Sequence, residues 1–266
     1  MSVNFKISAS VFRMAMLLLV LLAPFEGLAG GVDGSVVRPI GVSAPKRSLL
    51  HHRSTNPFGS QYFQSASAIP LQRGEGLYRN VLVSWNGLSY GITDHFSVAA
   101  GVDLYSMLNS RDRAPVWNTR VQVGGSVGGA FHLAGAATYF QLPLTLPGNE
   151  GDTTITVGLT SAMAVLTYGN PNNQLSLAGG WADDAEGRVQ GPLFIAAGAF
   201  RLFPNVQAVT ENWFFLEGSR TLLANSLGIR VVGEHLAIDL GVLYNEQLAE
   251  AVLPFGLPFV GALLNF

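Results

Sequence analysis

Residues 222–244, LLANSLGIRVVGEHLAIDLGVLY, alternate with period two on both sides of a short turn at Gly233-Glu234-His235. In the first half Leu223, Leu227, Ile229 and Val231 share a phase, opposite Ala224, Ser226, Gly228 and Arg230. In the second half Leu236, Ile238, Leu240, Val242 and Tyr244 oppose Ala237, Asp239, Gly241 and Asn245. Side chains along a strand point alternately to the two faces, so this is a β-hairpin with one apolar and one small or polar face. Such a hairpin cannot be soluble on both sides, and cannot be buried on both.

The rest of the chain repeats the design. From Gln61 onward the pattern predicts about twelve strands, near 61–68, 77–91, 96–107, 116–126, 131–142, 153–167, 173–182, 192–203, 206–217, 221–232, 235–246 and 255–266. Thr153–Thr167 has the clearest alternation, with Ile155, Val157, Leu159, Met163 and Val165 against Thr154, Thr156, Gly158, Thr160 and Ala162. In 206–217, Gln207, Glu211 and Trp213 share a phase, which implies either a bulge there or that the segment is not a strand. Asp94–Val102, Asn173–Trp181 and Glu234–Val242 share one form, a polar turn pair followed by apolar/small alternation and a glycine. Repeated hairpins of this kind describe one domain.

Composition says what surrounds the apolar faces. Charged residues are 12% of the chain, about half the usual share, and mean hydropathy is +0.32. After residue 30 no apolar run reaches the roughly 18 residues a membrane helix needs; Val252–Leu264 is broken by Pro254, Gly256 and Pro258. A hydrophobic chain without a hydrophobic helix points to an all-β, antiparallel transmembrane barrel. Lipid would meet the apolar faces, and the polar faces would line the lumen. Closure is obligatory, because unpaired edge amides in hydrocarbon cost several kcal/mol each; the first strand, 61–68, is then expected beside the last. Short turns would lie in the periplasm and longer loops outside.

Residues 1–29 read as a secretory signal peptide: Lys6 and Arg13, the apolar core Met14–Ala23, and the small-x-small site Gly27-Leu28-Ala29. Residues 30–60 carry Pro39, Pro45, Pro57 and the bases Arg38, Lys46, Arg47 and Arg53 without periodicity, as in a flexible periplasmic tail. The barrel is expected over 61–266. Cysteine is absent, so disulfides and thiol chemistry are excluded. No cofactor and no metal site is expected. A net charge of −2 argues against a nucleic-acid partner.

The last nine residues, Pro258–Phe266, form an apolar strand ending on an aromatic. This resembles the terminal signature of Gram-negative outer-membrane β-barrel proteins, in which the final Phe is the usual mark; Phe266 occupies that place. Ser65–Asn80, with Gly91–Ser97, is also similar to small barrels of the Bacteroidota type. The resemblance implies an outer-membrane location, lipid and the barrel assembly machinery as partners, and Phe266 as the assembly signal. It implies no activity.

Strand phase turns Asp103, Arg120, Arg230 and Asp239 inward, as candidates for a charged constriction that selects a small solute or for ion pairs that fill the lumen. A porin-like transport role is the first expectation, a structural barrel with a plugged lumen the second, an outer-membrane enzyme the third. About twelve strands is also the size of outer-membrane phospholipases, which need a histidine base at the outer face. Here His95, His132 and His235 fall at periplasmic turns and His51 and His52 in the tail, so no enzymatic activity and no catalytic residue is expected. Trp85, Tyr90, Phe96, Trp117, Tyr139, Trp181, Trp213 and Tyr244 are expected in interfacial girdles. Gly74-Glu75-Gly76 and 183–191, expected at the outer face, lack the spacing of a calcium loop.

Overall fold

A computed structural model describes residues 56–108, 114–146, 153–184, 190–217, 220–245 and 256–266. Twelve strands form a closed barrel in which every strand pairs antiparallel with its sequence neighbour and β12 returns to β1. They are β1 (Gly76–Val81), β2 (Trp85–Gly91), β3 (Phe96–Asp103), β4 (Trp117–Gly128), β5 (Phe131–Leu146), β6 (Thr153–Asn170), β7 (Asn173–Asp184), β8 (Gln190–Phe203), β9 (Val206–Glu217), β10 (Arg220–Val232), β11 (Leu236–Tyr244) and β12 (Leu257–Asn265). A single helical turn, α1 (Leu104–Leu108), follows β3. The three similar segments begin β3, β7 and β11, each at the short-turn end of an ascending strand.

The expected count of twelve is met, but by a different set of strands. Residues 61–68 are not in the wall: they make only an isolated Gln61–Ala66 bridge. The strand expected over 77–91 divides instead into β1 and β2 around Leu82-Val83-Ser84, where Leu82 (φ 51°) and Val83 (φ 65°) turn the chain. A β-branched residue in the left-handed region is unfavourable, so a turn built on Leu82 and Val83, without glycine or asparagine, leaves no turn signal in the sequence. The neighbour of β12 is therefore β1, joined by Gly76 N–H to Phe266 O at 2.8 Å and Phe266 N–H to Gly76 O at 3.0 Å. Gly74–Gly76 accordingly lies beside Phe266 at the short-turn end, not at the outer face.

On β10 and β11 the faces are as expected. Leu227, Ile229, Val231, Leu236, Leu240 and Tyr244 are exposed outward, while Ser226, Arg230, Ala237 and Asp239 are buried within. Such a belt of exposed aliphatic and aromatic side chains fits lipid and not water. On β6 the expected faces are reversed: Val157 and Val165 are buried inside and Leu159 and Met163 line the lumen, while Thr156, Thr160 and Ala162 face out. The length of β6 explains this. Eighteen residues tilted about 40° rise roughly 45 Å, against an apolar belt of roughly 25 Å. Its upper part stands clear of lipid, so polar residues face outward there and the apolar side turns in.

The shared phase of Gln207, Glu211 and Trp213 does not mark a bulge. Strand β9 keeps continuous register with β10, and all three side chains point into the lumen. Trp85 likewise faces inward, stacked at 5.9 Å on Phe140, so Trp85 and Trp213 belong to no girdle. Trp117, Tyr139 and Trp181 are on the outward phase.

Candidate functional site

Residues 56–75 enter the barrel at its short-turn end and fill that half of the lumen before β1 begins. Phe58, Tyr62, Ser67 and Ala68 are completely inaccessible, and Phe63, Ser65 and Leu71 are buried. Asn56, Phe58 and Ser60, at the end of the segment expected to be a solvated tail, lie inside; residues 30–55 fall outside the described residues.

This plug has almost no regular structure of its own, so its backbone donors and acceptors must be met one by one. Some are met within the segment, as Gln61 N–H to Phe58 O (3.2 Å), Tyr62 N–H to Ser65 O (2.9 Å) and Ser67 N–H to Ser60 O (3.0 Å); others meet side chains of the wall. Arg230, 1% exposed, donates from Nη1 to the carbonyls of Phe58 (3.3 Å) and Gln61 (2.8 Å) and from Nη2 to that of Tyr62 (3.0 Å). Its Nε and Nη2 also form a two-pronged pair with Asp239 at 2.7 and 2.9 Å. Glu211 accepts from the amides of Gln64 (2.9 Å) and Ser65 (3.0 Å), and from the indole of Trp213. Gln174 donates to Gly59 O (2.7 Å), Gln122 to Ser67 O (2.9 Å) and Arg79 to Phe63 O (2.8 Å), while Thr167 Oγ1 accepts from Ala68 N–H (2.8 Å). Tyr62 meets Ser176 at 2.6 Å, and burial pushes its phenol up from the ordinary value. The polar inner face is a lock for a particular piece of chain.

Above the plug the lumen changes character. A cavity of about 390 Å³ extends from Phe63, Ser65 and Ala66 up to the strand ends at Leu142, Leu159, Leu222 and Leu257. Its wall is largely aromatic and aliphatic, with Phe63–Phe259 edge-to-face at 4.8 Å and the Trp85–Phe140 stack. Glycine, alanine, serine and threonine account for only part of this surface.

The four charges expected to share a constriction do not meet. Arg230 and Asp239 are one pair, spent on the plug. Asp103 is at the long-loop end of β3, where Oδ2 accepts the Ser106 amide at 3.0 Å and helps hold α1. Arg120 lines the cavity, as Asp103 does from higher on β3, and the two side chains form no ion pair. Two further charges, Arg79 and Glu211, are inward by phase and absent from the sequence-predicted lumen set; Glu211 enters the sequence analysis only through the phase it shares with Gln207 and Trp213. Phe266 caps the β1–β12 seam, its ring against Gly76.

Among the described residues the histidines are remote from the cavity; His51 and His52 fall outside the described residues. His95 and His235 are exposed in turns, and His132 begins β5 at the same end. Among the described residues no three His, Cys, Asp or Glu side chains converge as metal ligands.

No family model and no curated protein matches the chain. Among solved structures it is similar to the CymD monoaromatic hydrocarbon channel, at 8% identity over 73% of this chain and 87% of that one, with a TM-score of 0.35. It is also similar to the FrpB iron transporter from Neisseria meningitidis (F3-3 variant), at 10% identity and a TM-score of 0.29. That alignment covers 68% of this chain and 38% of the transporter.

Proposed function

We propose that the protein is an outer-membrane barrel for passage of a small solute, with the segment 56–75 as its gate. The outer half of the lumen receives the solute, and the plug closes the periplasmic half. The observation that carries this reading is the cavity itself: a barrel whose only task was to be filled would have no reason to keep about 390 Å³ of side-chain-lined space directly above its plug. The alternating lock of Arg230, Glu211, Gln122 and Gln174 supports a gate that is held by discrete polar contacts. Greasy packing would be harder to release.

In this reading the protein carries out no chemistry on the solute. Its partners are outer-membrane lipid around the belt, the barrel assembly machinery at Phe266, and the solute. The same polar lock favours a second reading, a permanently filled structural barrel, in which Arg230 and Glu211 serve stability alone.

Planar-bilayer conductance of the purified barrel separates the two. The unaltered protein is expected to be almost closed, and an Arg230→Met/Glu211→Gln variant to conduct. A variant that stays folded, exposes its plug and still passes no current would rule out passage and leave the structural reading.

A further inference from the structure

We propose that the cavity above the plug binds a small amphiphilic carboxylate, with Arg120 receiving the carboxylate and the aromatic wall seating its apolar body. This rests on the transport reading for the direction of approach and specifies which solute class the barrel takes.

Arg120 is on the inward phase of β4, opposite Ala99 on β3. Gln122, two residues along the same face, already touches the plug at Ser67. Arg120 is therefore the first side chain of β4 above the plug, at the cavity floor. Among the described residues its guanidinium has no hydrogen-bond acceptor and no carboxylate within 4.0 Å. A guanidinium keeps its charge at any physiological pH, and burying a charge beside apolar surface is costly unless it is paired.

The surrounding charges do not supply the missing partner. Arg79, also on the cavity wall, brings a second positive charge and gives one donor to Phe63 O. Glu211 is within electrostatic reach of both arginines, yet its two oxygens are taken by Gln64, Ser65 and Trp213. Asp103 lines the same cavity but lies four residues up β3 from Ala99, roughly 13 Å along the strand, with Oδ2 on the Ser106 amide, too far to pair with Arg120 at the floor. Two arginines against one committed carboxylate leave one positive charge at the floor. That matches a monoanion, and a planar carboxylate fits the fork of donors on arginine.

The walls specify the rest of the ligand. Phe63, Trp85, Phe140, Trp213 and Phe259 present ring surface around the cavity, whose volume of about 390 Å³ suits a small ligand. A neutral hydrocarbon would fit the rings and leave Arg120 desolvated without a counter-ion. A hydrophilic anion would satisfy Arg120 and waste the walls. Only a ligand with both parts uses the whole site.

The test is equilibrium binding of 1-naphthoate and of its neutral isostere 1-naphthamide to the full barrel in nanodiscs, with partition into empty nanodiscs subtracted. The acid is expected to bind at least about tenfold more tightly than the amide, as a charge-assisted contact requires. Arg120→Gln should remove that difference while leaving the amide unchanged, and Arg120→Lys should restore part of it. Equal affinities on the unaltered barrel, a failure of both probes to bind, or an Arg120→Gln barrel that still prefers the acid would overturn the proposal. The acid–amide comparison needs no variant, so a misfolded Arg120→Gln does not weaken it. Conductance of the unlocked barrel bears on passage alone, so the two readings fail separately.

Discussion

Arg230 and Asp239 face each other across the β10–β11 register with Nε–Oδ1 at 2.7 Å, and the same guanidinium holds three carbonyls of the plug. One side chain thus joins the wall to the segment inside it. Removing one member of a buried pair costs about 3–5 kcal/mol, so Arg230→Met should unseat the plug. The absence of native cysteine allows a clean probe: Ser60→Cys sits at a buried hydroxyl with no partner. Its alkylation should accelerate by roughly 100-fold or more in Arg230→Met. Asp239→Asn should accelerate it less, because Arg230 keeps its carbonyl acceptors. The exchanged pair Arg230→Asp/Asp239→Arg should not reseat the plug, since the donors would then start from the wrong strand.

Glu211 makes the complementary contact, accepting where Arg230 donates. Glu211→Gln replaces one oxygen by an NH2 group that must face an amide N–H of Gln64 or Ser65. Hydrogen bonds to charged groups contribute about 1.5–3 kcal/mol each, so seating should weaken by a few kcal/mol while the barrel stays closed. Brief openings in single-channel records are the expected sign, together with intermediate alkylation at Ser60→Cys. Records indistinguishable from the unaltered barrel would mean that these amides find other acceptors.

These two residues also show what the sequence could and could not convey. The strands β3–β12, their antiparallel order and the inward phase of Arg230 and Asp239 follow from period-two alternation alone, because alternation is local. The plug was hidden for the same reason. Phe58, Tyr62 and Phe63 lie among small polar residues with a spacing that imitates a strand, and nothing local says that their carbonyls are met by Arg230 on a strand far along the chain. The Leu82–Val83 turn has positive φ without glycine, so 77–91 reads locally as one strand. The cavity was obscured by β6, where equating apolar with outward holds only while the strand is in lipid. Gln207 and Glu211 were visible as an anomaly on β9, and the anomaly was the site. Polar residues in a lumen phase that seem to break a strand are a usable signal of something held inside.

Two glycines separate seating of the plug from closure of the barrel. A Cβ on Gly59 would lie 2.4 Å from Cβ of Pro171 in the β6–β7 turn. Gly59→Val should therefore lift the plug and raise alkylation at Ser60→Cys, without altering heat-modifiable migration on SDS gels. A Cβ on Gly76 would lie 2.3 Å from the Phe266 ring. Gly76→Val should displace that ring from the β1–β12 seam and lower the temperature at which the migration shift is lost. If Gly59→Val lowered it equally, plug and wall would unfold as one unit.

The division between lipid-facing and lumen-facing aromatics can be checked with the four tryptophans. Trp181 is 51% exposed on the outward face and Trp117 shares the outward phase, tilted against Tyr139 at 5.2 Å. Trp85 and Trp213 are in the cavity. In single-tryptophan barrels reconstituted with brominated lipid, Trp181 should be strongly quenched, whereas Trp85 and Trp213 should keep most of their emission. Acrylamide, which enters from water, should reach Trp85 more readily in Arg230→Met than in the unaltered barrel, because an unseated plug opens the cavity from below. The sign follows from the position of Phe63, which forms part of the cavity floor and leaves with the plug. Lipid quenching of Trp213 as strong as that of Trp181 would invert the phase of β9, placing Glu211 in hydrocarbon and removing the basis for the lock.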